Sequence, residues 1–147
     1  YSYEACVLGN THGYIDVTLP QSHEYGINLG GATARKQGNL CRQGVPIHKF
    51  DTIWKDRYQN FEPDLIKVDA EGLDIEVLEG MEEFITSLTH KPLIVYEIAG
   101  LNMSDDDVQE VYDRLSFLTD MGYEPVFETS LAPKKCCDLV IAAPNPI

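Results

Sequence analysis

Positive charge is scarce in this sequence: 11 Lys and Arg stand against 24 Asp and Glu, a formal net charge of −13 over 147 residues. That shortage argues against a nucleic-acid partner, which needs a concentrated basic surface, and against an anionic membrane surface for the same reason. No apolar run approaches the roughly 18 residues of a membrane-spanning helix, and the first residues carry no signal-peptide pattern. GxGxxG and the P-loop are both missing, which ranks a nucleotide-binding domain with another reaction last. The four cysteines (Cys6, Cys41, Cys136, Cys137) form no CxxC or CxxxC pair, and His12, His23, His48 and His90 show no HxH or HxxxH spacing. A zinc-type ligand set is therefore not expected. A chain of this length buries a core without staples, so reduced thiols in a cytosolic-type compartment are the expectation.

What is present fits one globular domain, with 44% hydrophobic and 24% charged residues. The acid excess is uneven. Residues 1–60 carry six bases and five acids, whereas residues 61–147 carry five bases and 19 acids. Half of all the acids lie in Glu71 to Glu83 and Asp105 to Asp120, two stretches that read as helices with solvated faces.

The spacing of apolar residues orders the chain. Ser2 to Leu8 and the alternating Gly13 to Leu19 read as a hairpin across Gly9-Asn10-Thr11-His12-Gly13. Gln21 to Gly44 has no sustained period and reads as a long loop of the kind that is often functional. Val45 to Lys49 reads as a short strand, and Asp51 as the cap of a brief helix with Ile53 and Trp54. Leu65 to Val68 forms a strand stopping at Asp69. Val77, Leu78, Met81, Phe84, Ile85 and Leu88 then predict one amphipathic helix over 73–88, with Gly80 marking close packing. Pro92 to Ile98 is nearly all apolar, as suits a strand buried on both faces. Ser104 and Asp107 resemble a capping box for a helix carrying Val108, Val111, Tyr112, Leu115 and Leu118, and Gly122 is a natural stop. Tyr123 to Phe127 and Asp138 to Ala142 close the chain as neighbouring antiparallel strands. The sum is an α/β layer sandwich: a mostly parallel sheet with an antiparallel last strand.

In open α/β sheets ligands sit beyond the carboxyl ends of the parallel strands. Two places qualify: Asp69-Ala70-Glu71-Gly72, and Glu97 at the end of the next strand. Acids at the same end of adjacent strands can face one pocket. Asp69, Glu71 and Glu97 are thus candidates for a general base, for substrate hydrogen bonding or for a cation site. The plainer alternative is that Glu71 serves the following helix dipole and Glu97 pairs with Lys67.

Ile66-Lys67-Val68-Asp69-Ala70-Glu71-Gly72, followed by Glu76-Val77-Leu78-Glu79-Gly80, resembles the signature of the FkbM-type methyltransferase family. Flanking segments agree in order: Ala5 to Gly13 with Asn10 where Asp is common, Gly30-Gly31, Val45 to Ile53, Pro92 to Glu97, Gly122-Tyr123 and Asp138 to Pro144. The resemblance implies a Rossmann-like class I three-layer sandwich and methyl transfer from S-adenosylmethionine to a hydroxyl oxygen of a small molecule, sugar or lipid. It implies Asp69, Glu71 and Glu97 as catalytic residues, Asp69 and Ala70 at the donor, and Glu71, Gly72, Glu97, Gly30 and Gly31 at the acceptor. No metal is expected, because a third ligand is lacking.

The family holds its donor mainly through a glycine-containing loop after its first strand and an acid ending its second. Neither occurs here, and Tyr1 falls where the family's third strand begins. The chain is therefore expected to be a single partial domain, from the third strand to the end, inactive alone. In the family's strand order 3-2-1-4-5-7-6, two absent strands leave a gap of about 10 Å at ~4.8 Å per strand. Self-association through the exposed edge follows. The rival reading is a non-catalytic α/β interaction module using that open sheet edge.

Overall fold

The computed structural model describes residues 6–19, 21–22, 26–27, 40–98, 105–128 and 138–144. The early strands are β1 (Val7–Leu8), β2 (Gly13–Leu19), β3 (Gln21–Ser22), β4 (Gly26–Ile27) and β5 (Leu40–His48). Helix α1 (Phe50–Arg57) leads to β6 (Leu65–Lys67), then α2 (Asp74–Glu79), α3 (Glu82–Ser87) and β7 (Leu93–Ile98). Helices α4 (Asp105–Arg114) and α5 (Ser116–Asp120) precede β8 (Tyr123–Glu128) and β9 (Asp138–Pro144). This is a mixed α/β fold with three sheets, ordered β1-β5-β2, β3-β4 and β6-β7-β9-β8.

The last sheet follows the expected pattern. β6 and β7 are parallel, and β9 runs antiparallel to both β7 and β8. The first sheet does not. β1 and β2 make no hairpin, because β5 lies between them, parallel to β1 and antiparallel to β2. A two-residue β1 gives too short a ladder to hold β2, whereas β5 is nine residues long and starts inside the stretch expected to be loop. An irregularity between Ile15 and Val17 sets two β2 steps against three on β5. It disturbs the simple alternation expected for β2: Thr18 is buried while Tyr14 is 78% exposed.

The helix expected over 73–88 is two helices, broken at Gly80-Met81. A Cβ on Gly80 would stand 2.0 Å from the Gly9 carbonyl oxygen, so the backbone of the β1–β2 connection touches the helix break directly. Asp51 does not cap its own helix, whose N-cap is Lys49. It is buried, and its carboxylate accepts the Glu83 and Phe84 N–H groups at 3.2 and 2.8 Å, capping α3 instead. Burial raises the Asp51 carboxyl above its ordinary pKa, against those two hydrogen bonds.

Burial of β7 alternates. Ile94, Tyr96 and Ile98 are buried, Val95 and Glu97 half-buried and Leu93 44% exposed. Among the described residues one face of this strand is fully covered, so its apolar run does not mean two buried faces. The buried face joins Val77, Leu78, Phe84, Ile85, Leu115 and Leu118 in the main core. Gly122, at φ +83, ends α5 as expected, with its N–H on the Thr119 carbonyl at 2.8 Å. Ser104 lies outside the described residues.

Candidate functional site

The site grows from the exit of β6. Val68 is buried and donates its N–H to the Val95 carbonyl at 2.8 Å, fixing the strand end against β7. Beyond it the chain reverses. Leu73 N–H reaches the Ala70 carbonyl at 3.2 Å, and both intervening residues have positive φ, +47 at Glu71 and +94 at Gly72. That pair of signs belongs to a mirror-image turn, which glycine fits freely and glutamate does not. Strain held at a strand end is a mark of a functional turn when other observations agree.

Asp74, 2% exposed, supports the turn. One carboxylate oxygen accepts the Ala70 N–H at 3.3 Å and the other the Glu97 N–H at 3.2 Å. It therefore ties the ends of β6 and β7 together, the two places at which strand-end acids were sought. Sequence reasoning missed it. An acid in a first helical turn reads equally as a dipole partner, and nothing in the spacing points to the second strand.

A cavity of about 610 Å³ opens beside this turn, within the ordinary 300–1,000 Å³ range of small-molecule sites. Its walls are mainly apolar, from Val7 and Leu8 of β1 on one side to Leu65 and Ile66 of β6 on the other. Asp69, Ala70 and Glu71 line it; Gly72 and Glu97 do not. Lys67 also lines it and forms an ion pair with Asp69, both side chains about half exposed. That hydrogen bond, chiefly, raises the Lys67 ammonium above its usual pKa, with Glu97 adding attraction at longer range. The Lys67 partner is thus Asp69, not Glu97. Gly30 and Gly31 lie outside the described residues.

The cavity also runs along a strand edge. β6 is the end strand of its sheet. The Asp64 carbonyl and Val68 N–H engage β7, so alternation turns the backbone groups of Leu65 and Lys67 away from it. No group of three or more His, Cys, Asp or Glu able to hold a metal occurs among the described residues. No helix among them is long and apolar enough to cross a membrane.

A mixed α/β fold with carboxylates at a parallel strand end, beside a cavity of ligand size, is the arrangement in which open α/β sheets place their ligands. The family model of the methyltransferase FkbM domain matches residues 8–125, and the chain belongs to that family. No curated protein and no solved structure matches the chain.

Proposed function

We propose that this chain is the acceptor-handling part of a methyltransferase that uses S-adenosylmethionine and methylates a hydroxyl oxygen on a small molecule, sugar or lipid. The observation that carries the reading is the joint placement of Asp69 and Glu71 on one cavity at the end of β6, in a chain of the FkbM family. S-adenosylmethionine supplies an already activated methyl group. The protein must then align the acceptor oxygen and take its proton. Asp69 or Glu71 receives that proton, and the other orients the hydroxyl. Asp74 is a positioning residue, holding the Ala70 amide and thereby the turn. Glu97 contributes by its charge, through Lys67.

The fit to the donor is partial. The cavity is large enough and Ala70 brings backbone beside it, but Asp69 is engaged by Lys67 and the Ala70 N–H by Asp74. No free carboxylate is thus assigned to ribose hydroxyls, and the proposal is that strands missing between β1 and β6 supply that hold. This 147-residue chain should therefore bind S-adenosylmethionine more weakly than micromolar in a calorimetric titration. Micromolar binding sinks the partial-domain reading. In the complete protein, Asp69→Asn or Glu71→Gln should lower kcat by about 10²–10⁴-fold with a labelled methyl donor. Unchanged rates in both variants remove the carboxylates from the reaction.

A second reading rests on the outward-facing backbone of β6 and on Leu65, which is 56% exposed. It makes the chain a non-catalytic module that associates through this edge. It predicts a dimer at micromolar concentration by sedimentation, and no methyl transfer from the complete protein.

A further inference from the structure

The histidines that looked scattered in sequence include a pair that the fold assembles. His12 precedes β2 and His48 ends β5, 36 residues apart, yet their Nδ1 atoms stand 3.4 Å from each other. The rings are tilted by 52°, with centroids 5.6 Å apart, so they meet at a corner rather than stack. Thr52, in the first turns of α1, places its Oγ1 3.1 Å from His12 Nε2. Backbone contacts make the arrangement rigid. Leu8 is paired with His48, the Gly9 N–H donates to the His48 carbonyl at 3.0 Å, and Gly13 is paired with Ile47.

Two facts of metal chemistry meet here. A tetrahedral Zn²⁺ with ligand nitrogens about 2.05 Å away holds them about 3.3 Å from each other. The observed separation is close to that edge, and the nearly end-on approach of the two Nδ1 atoms needs only a modest turn of the rings to bring both lone pairs onto one ion. A ligating imidazole also needs its second nitrogen protonated and held by an acceptor. The Thr52 hydroxyl oxygen can accept the His12 Nε2–H, which leaves the His12 Nδ1 lone pair facing His48. Without metal the same geometry accommodates a single Nδ1–H···Nδ1 hydrogen bond, so the pair is stable in either state.

We propose that His12 and His48 form a two-imidazole site for a borderline divalent transition ion such as Zn²⁺, with water completing its coordination. Imidazole ligands favour Zn²⁺, Ni²⁺ or Cu²⁺ over Mg²⁺ and Ca²⁺. The bound ion fastens the connection before β2 to the end of β5, beside the residues of β1 that wall the cavity. This site is separate from Asp69 and Glu71, and its existence does not depend on the methyl-transfer reading.

The test is titration of the intact chain with Zn²⁺ alone, followed by calorimetry and by long-range ¹H–¹⁵N spectra of the imidazoles. The expected result is one saturable site with ligation shifts at Nδ1 of His12 and His48. His12→Ala and His48→Ala should each abolish those shifts and the saturable heat. Thr52→Val should weaken binding about tenfold, because the orienting acceptor is lost. His90, whose Nε2 faces Asp64 at 3.5 Å, serves as the control, and His90→Ala should bind as the unaltered chain does. Imidazole signals of His12 and His48 that do not respond to Zn²⁺ overturn the proposal. So does a heat of binding that survives His12→Ala unchanged, since it would come from cysteines or surface acids.

Discussion

At the scale of single residues, the turn after β6 sets stability against chemistry. Glu71 is the sole non-glycine with positive φ among the described residues. Left-handed backbone costs an L-residue with a Cβ about 1 kcal/mol or a little more. If the position served folding alone, glycine would serve it better. Glu71→Gly should therefore raise the unfolding free energy by about 1 kcal/mol in urea titration while lowering the proposed methyl transfer. Glu71→Ala removes the carboxylate but keeps the strain, and should show no such rise. Equal stabilities for the glycine and alanine variants would mean that the turn holds no strain to release. Asp74 is the counterpart of this residue. Buried and bonded to two amides, it holds the geometry in which Glu71 is strained.

At the scale of elements, what was legible in the sequence was whatever is decided locally. The strand–turn–helix around Asp69 to Gly72 could be read because its apolar run, glycine and following helical period are all neighbours in sequence. The antiparallel pairing of β8 and β9 was legible because the short stretch of sequence between them carries no helical period, whereas the place of β9 between β7 and β8 was not readable from spacing. The β1–β5–β2 pairing was not legible, because two short apolar segments with a turn between them suit a hairpin until a distant strand outcompetes it. Nor was the His12–His48 contact, which depends on that same pairing. The break between α2 and α3 was hidden for a related reason. Glycine costs a helix only about 1 kcal/mol relative to alanine, so the apolar period runs straight through it. At the break the Gly9 carbonyl sits where a Gly80 side chain would be. Gly80→Ala is therefore expected to destabilise despite alanine's better propensity. Overpacking against backbone costs about 1–3 kcal/mol and exceeds the propensity gain. Thermal melting of the variant should show a lower Tm. A higher Tm would mean that the β1–β2 connection moves aside at little cost.

At the scale of the whole molecule, the acid excess acts on stability more than on function. The chain carries a formal charge of −13 at pH 7, and residues 61–147 hold 19 of its 24 acids. Some of that charge is locally answered. Arg114 of α4 bonds Glu79 and Glu76 of α2, and chiefly through that bond the Glu79 carboxyl is held below its usual pKa. The contribution of that pair is present above the ordinary carboxylate pKa and is lost as pH falls through the lowered value. It is half-sheltered, with side chains 32% and 21% exposed, so salt weakens it little. The unanswered acids are exposed and repel over longer distances. Raising NaCl from about 10 mM to about 150 mM shortens the screening length from about 30 Å to about 8 Å. Repulsion between α2–α3 and α4, whose acids supply most of the excess, is thereby reduced faster than the Arg114 pairs are weakened. The Tm at pH 7 should consequently rise over that salt range, and it should rise as well in Arg114→Met, which has one more unit of negative charge. A Tm that falls with salt would show that the few ion pairs, not the net charge, govern the electrostatics of this fold.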